Sequence, residues 1–213
     1  MHDSPNATVL GMDHVRLARP GDAAAVAAIY APSVTRAATS FELTAPSPDD
    51  IADRIAAGSP HAPWLVLVRD GEIAGYAYAS RHRERAAYQW SVDTSVYVRA
   101  DQRRSGVGRA LYRTLLALLR VQGFYAAHAG ITLPNPGSVA LHEAMGFVRI
   151  GVEPSVGYKL GAWHDVAWWQ LALRPRTGEP AAPLSVHDAE AQPAWHEVLS
   201  SARGSAVTRH ADC

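Results

Sequence analysis

Cysteine is almost missing from this sequence: its 213 residues hold one, Cys213, the last of them. A disulfide framework and a cysteine-ligated metal site are both excluded, and the bias is toward a cytoplasmic setting. No apolar run approaches the length of a membrane-spanning helix. The polar start Met1-His2-Asp3-Ser4 lacks the pattern of a signal peptide. An excess of either charge is missing too. Twenty Lys and Arg face twenty Asp and Glu, so no global field draws the chain to nucleic acid or membrane. His61, His82, His128 and His164 are scattered, and no H-E-x-x-H occurs, so no metal is assigned. What remains is an ordinary globular composition, long enough for one domain with appendages and a substantial core.

The chain is organised around residues Val96 to Val121, V-Y-V-R-A-D-Q-R-R-S-G-V-G-R-A-L-Y-R-T-L-L-A-L-L-R-V. Val96, Tyr97 and Val98 suit the end of a strand. Arg103, Arg104 and Arg109 flank Gly106 and Gly108, and Leu111, Leu115, Leu118 and Leu119 then recur at helical spacing. A basic glycine loop entering a helix can hold a phosphate. First-turn N–H groups lack intrahelical partners, the helix dipole adds positive charge, and the arginines add charge-assisted donors. The plainer alternative is a glycine turn before a core helix, with solvated arginines. A P-loop is excluded because no Lys-Ser or Lys-Thr follows the glycines. A dinucleotide loop is excluded because no third glycine follows Gly108 at the required spacing.

In chain order, residues 1–14 read as a loose leader, residues 15–175 as the domain, and residues 176–213 as a disordered tail. Within that tail, Trp195, Val198, Leu199 and Ala202 could line a short helix over 193–202. A helix is expected from Ala23 to about Tyr30, and a second opens at Ser47-Pro48-Asp49-Asp50. Asp70-Gly71 signals a hairpin between strands at 63–68 and 73–79. A long strand is expected over Tyr88–Val98, and another over Phe124–Thr132. Asn135-Pro136 opens a helix that stops at Gly146. A strand over 147–152 and a hairpin over 157–173 turning near Gly161 complete the domain.

The motif Arg103-x-x-Gly106-x-Gly108 after a strand resembles the acyl-CoA pyrophosphate loop, R/Q-x-x-G-x-G/A, of the GNAT N-acetyltransferase superfamily. The stretches A-Y-Q-W-S-V-D-T-S-V-Y-V from Ala87, L-P-N-P-G-S-V-A-L-H-E-A-M-G-F from Leu133 and G-Y-K-L-G-A-W-H-D-V-A-W-W-Q from Gly157 are similar to phosphinothricin N-acetyltransferases. The resemblance covers Val15 to about Pro175. It implies an α/β (α+β) GNAT fold: a central mixed, mostly antiparallel twisted sheet, flanked by helices and splayed at the acyl-CoA site. It also implies acetyl-CoA as co-substrate, a small amino-acid acceptor, and a homodimer.

The same resemblance suggests roles for individual residues. Val96, Tyr97 and Val98 would pair through their backbone with pantetheine. Arg103, Arg104, Ser105, Gly106, Val107, Gly108 and Arg109 would hold the pyrophosphate, and Asn135 would bond the CoA arm. Asp93 falls where the subfamily carries a glutamate proposed as general base. Being one methylene shorter, it is expected to work through a water. His142 lies seven residues after Asn135, two helical turns on, where the subfamily carries histidine for thiolate protonation. Phe41, Arg85 and Tyr88 match acceptor-side positions, where a guanidinium could hold a carboxylate or phosphinate. Two other readings stay open: an acetyltransferase for a different amine, and an acetyl-CoA sensor without turnover.

Overall fold

The computed structural model describes residues 13–204, so the leader expected over 1–14 lies almost wholly outside the described residues, as does the end of the tail. Seven strands form one sheet: β1 (His14–Leu17), β2 (Trp64–Arg69), β3 (Glu72–Arg81), β4 (Ser91–Val98), β5 (Ala126–Thr132), β6 (Val148–Lys159) and β7 (Ala162–Ala172). Their order across the sheet is β1-β2-β3-β4-β5-β7-β6. Among the described residues only β4 and β5 run parallel; every other neighbouring pair is antiparallel. The mixed, mostly antiparallel sheet is therefore as expected.

The parallel contact is brief. Ser91, Val92 and Asp93 pair with Ala126, Ala127 and His128, and beyond them the two strands part. The Thr94 hydroxyl donates to the His128 carbonyl at 3.0 Å, satisfying one acceptor where the ladder ends. The opening beside β4 is the feature on which the site is built.

Helices cover both faces. α1 (Ala23–Thr35) and α2 (Pro48–Gly58) bury Val26, Tyr30, Ile51 and Ile55 against one face, with Trp64, Val66 and Tyr76 beneath them. Ser47 caps α2 by accepting from Asp50 N, and the Asp50 carboxylate accepts in return from Ser47 N. α1 runs past its expected end, through Pro32 to Thr35, because Val34 is fully buried and its packing offsets the missing N–H. On the other face, α3 (Val107–Gln122) buries all four leucines of the expected stripe. Gly123 ends it in a left-handed conformation, at φ 96°. α4 (Pro136–Ala144) begins as expected, the Asn135 side chain accepting from Ser138 N at 3.2 Å.

The long strand expected from Tyr88 begins only at Ser91, after a short 3-10 turn over Ala86–Tyr88. The tail also needs correction. Instead of being disordered, it carries α5 (Val186–Glu190) and α6 (Pro193–Gly204), with Val186, Ala189 and Trp195 buried in the core beside α3. Gln122 reaches out to this segment, donating to the Leu184 carbonyl at 2.9 Å and to that of His61 at 3.0 Å. Proline and small residues dominate the composition of the tail, but a few apolar side chains find a preformed surface. Burial there stabilises helices too short to persist alone.

The edge strand β6 keeps Val148, Ile150, Val152, Val156 and Tyr158 exposed, and Trp163 at the hairpin joins them.

Candidate functional site

A cleft of about 930 Å³ runs from the loop before α3, along β4, to α4. Its basic end is built from Arg103, Arg104, Gly106, Val107, Gly108 and Arg109. Arg104 and Gly106 both adopt positive φ, 59° and 85°, just before the first turn of α3. Left-handed residues at that point turn backbone N–H groups toward a common centre, the arrangement that binds anions. The three arginines are exposed and add positive charge there.

Two glycines in this loop serve different needs. Gly106 supplies the left-handed backbone. A Cβ on Gly108 would lie 3.2 Å from Leu141 and 3.5 Å from Val98, so this glycine lets α3, α4 and β4 pack closely. Ser105 does not line the cleft. Its hydroxyl donates to the Gln102 carbonyl at 2.6 Å and accepts from Arg69 at 2.8 Å. Arg69 ends β2, so its bond to Ser105 ties the loop to the sheet, and it also pairs with Asp13 at 2.6 Å. Nothing in the local sequence signals that arginine, because its partners lie far along the chain.

Val96, Tyr97 and Val98 border the cleft on the β5-facing edge of β4, while their other edge pairs with β3. That leaves a strand edge on which an extended ligand can add. Asn135 lines the same cleft from the start of α4.

His142 is buried at the far wall. Its Nδ1 lies 2.7 Å from the Ser138 carbonyl, which can only accept, so Nδ1 carries a proton. Nε2 then accepts from the Tyr112 hydroxyl at 2.8 Å. Burial pulls the pKa of His142 below the ordinary imidazole value and pushes that of Tyr112 up. Tyr112 also reaches toward Thr94 Oγ1, at 3.5 Å, on the wall beside the splay. This tyrosine escapes sequence reading because it sits within the apolar repeat of α3 and looks like plain core.

Asp93 lies on the opposite face of the sheet. Thr94 points toward Tyr112 of α3, whereas Tyr97, of the same parity as Asp93, packs 4.9 Å from Tyr30 of α1. The Asp93 carboxylate is half-buried and bonded to His82 Nδ1 at 2.7 Å. Burial raises its pKa, and the His82 contact opposes that rise. The His128 ring stacks on His82 at 4.1 Å and 12°. Burial, then the neighbouring His82, pushes the pKa of His128 down to about 4. Histidines scattered along the sequence are thus gathered in space: His82, Asp93 and His128 offer ligand atoms within 4.8 Å of one another.

The acceptor-side residues are divided. Tyr88 stands edge-on to His82 at 6.0 Å, and Arg85 is exposed on the preceding loop. Phe41 lies against Gly157 and 6.4 Å from His164. Its loop is pinned by Glu42, which accepts from both Arg54 nitrogens at 2.7 and 2.9 Å, and by Lys159, which donates to the Ser40 and Glu42 carbonyls.

A family model described as an acetyltransferase (GNAT) domain matches residues 15–168. Over 172 residues the chain is 37% identical to the phosphinothricin N-acetyltransferase of Streptomyces viridochromogenes, covering 80% of this chain and 94% of that protein. It is 36% identical over 169 residues to the L-amino acid N-acyltransferase MnaT of Escherichia coli, covering 79% and 98% of the two chains. Among solved structures, a phosphinothricin acetyltransferase from Sinorhizobium meliloti in complex with AcCoA superposes with a TM-score of 0.77 at 33% identity. That likeness covers 80% of this chain and 94% of the other.

Proposed function

This chain belongs to the acetyltransferase (GNAT) domain family, and from that premise we propose that it acetylates the α-amine of a small glutamate-like amino acid. Phosphinothricin and methionine sulfoximine are the acceptors to test first, and transfer is direct from acetyl-CoA in a ternary complex. The observation that carries the reading is the splay between β4 and β5, with a carboxylate–imidazole pair on one face and the Tyr112–His142 pair on the other. Transfer needs a proton removed from the acceptor ammonium and a proton delivered to the leaving thiolate. Two proton-handling groups on opposite sides of one opening suit those two tasks.

In this reading the amine attacks the thioester carbonyl from the Asp93 side. A backbone N–H of β4 steadies the oxyanion. As the C–N bond forms and the C–S bond breaks, the Tyr112 hydroxyl turns from His142 Nε2 and passes its proton to sulfur, and the phenolate then regains a proton from solvent. The loop before α3 holds the pyrophosphate, and Arg85 meets the anionic end of the acceptor. Similarity to phosphinothricin N-acetyltransferases supports this acceptor class.

A screen of amino-acid acceptors with acetyl-CoA, read by thiol release, tests the proposal. Turnover with no α-amino acid, but with polyamines or peptides, would move the acceptor to another class. Arg85→Ala is expected to raise KM for phosphinothricin by about tenfold or more, the scale of a lost hydrogen bond between charged groups, with acetyl-CoA affinity nearly unchanged. Equal weakening of both ligands would assign Arg85 to the fold.

The proposal extends to assembly as a homodimer, supported by the exposed apolar side chains of β6 and by Trp163. Sedimentation velocity is expected to give a dimer for the full chain. Val152→Lys should shift it toward monomer.

A further inference from the structure

His82 lies outside the sequence stretches that carry the family resemblance, yet its ring meets the Asp93 carboxylate directly. Aspartate at position 93 is one methylene shorter than glutamate and is bonded to His82 Nδ1 at 2.7 Å. An ionised carboxylate can only accept, so Nδ1 carries a proton, and in the neutral form of the ring the lone pair is then on Nε2. A carboxylate fixes a catalytic histidine in this tautomer and then stabilises the imidazolium that forms.

The ring is also held in orientation. His128 stacks on it at 4.1 Å, Trp168 stands edge-on at 6.3 Å, and Tyr88 stands edge-on at 6.0 Å. The charged and titratable groups around it are few. The Asp93 carboxylate faces its Nδ1. Arg83, whose guanidinium lies 5.9 Å from the Trp168 ring centre, and Arg176 both act to lower the pKa of the stacked His128. His128 accepts at Nε2 from the Gln170 amide, at 3.0 Å, and stays neutral, so the stack brings no second positive charge against His82.

We propose that His82 Nε2, held and polarised by Asp93, is the atom that takes the proton from the acceptor ammonium. The N–H bond of the ammonium breaks, its electron pair stays on nitrogen for attack on the thioester, and the proton rests on Nε2. Asp93 is then a positioning residue, and its short side chain is matched to an imidazole instead of to the amine. This inference rests on the acetyl-transfer reading proposed for the site.

The test uses the full-length enzyme with acetyl-CoA and an acceptor that the screen has identified. His82→Gln keeps a donor for Asp93 but cannot titrate. It is expected to lower kcat by about a hundredfold and to flatten the acidic limb of the kcat/KM profile, with acetyl-CoA affinity unchanged by calorimetry. His82→Ala should behave alike and regain part of its turnover when imidazole is added. Wild-type kcat with an unchanged acidic limb in either folded variant would overturn the proposal and return the proton to Asp93 alone. So would a wild-type enzyme that loses turnover on chelation and recovers it with zinc, because the cluster would then be a metal centre. In both cases amino-acid acetylation by the wild-type enzyme still stands. Failure of every amino acid in the screen would instead remove the parent reading.

Discussion

Asp93→Asn lowers kcat by roughly a hundredfold or more, the scale of general-base catalysis, while melting no lower than the wild-type protein. The first half follows from chemistry. An asparagine amide can donate to His82 Nδ1, which forces the ring proton onto Nε2 and abolishes the base; if the carboxylate itself takes the proton, that base is lost as well. The second half follows from linkage. Burial raises the pKa of Asp93 above the ordinary aspartate value, so ionising it costs the folded state more than the unfolded one. That cost is absent below the unfolded pKa, grows as pH rises through the interval, and is complete above the raised value. Asparagine carries no such charge, so near neutral pH the variant escapes the penalty. A stable but inactive protein is the pattern expected of a residue kept for function. Thiol release against pH, paired with thermal melts, checks both halves. Unchanged kcat across the pH range would remove the carboxylate from the proton path.

Gly106→Val weakens acetyl-CoA binding by about tenfold. At φ 85° the position is left-handed, and an L residue there costs on the order of 1–2 kcal/mol, which corresponds to roughly five- to thirtyfold in affinity. The free loop can relax and avoid that strain, but binding must restore the shape that aims the α3 N–H groups at the pyrophosphate. The cost therefore falls on affinity more than on stability. A bulky residue at Gly108 should do the reverse, since its Cβ meets Leu141 and Val98 inside the fold. Calorimetry with CoA on folded Gly106→Val decides the matter, and undiminished affinity would sink the pyrophosphate assignment.

Much of this site is legible in the amino-acid sequence. The loop from Arg103 to Arg109 and the helix after it are contiguous, and their information is local: β-branched residues, then glycines, then leucines at helical spacing. The Asn135-Pro136 start of α4 and the Asp70-Gly71 turn, at φ 51° and 81°, are legible for the same reason. Turn, cap and helix period depend on neighbours a few residues away, and those neighbours are visible in one dimension.

Tertiary structure alone decided the rest. Asp93 and Thr94 are adjacent in sequence, yet strand alternation sends one toward His82 and the other toward Tyr112. In the proposed reaction, which direction serves the acceptor and which the thiol depends on the helices that cover each face. His82, Asp93 and His128 come from three segments that touch only because β3, β4 and β5 are neighbours at the short parallel ladder. Arg69 holds the loop before α3 across a similar separation. The tail shows the same limit: its composition resembles a disordered segment, but Trp195 is buried because α3 and the sheet offer it a surface. Local propensity is written in adjacent residues. Packing partners are set by a sheet order that no single stretch contains.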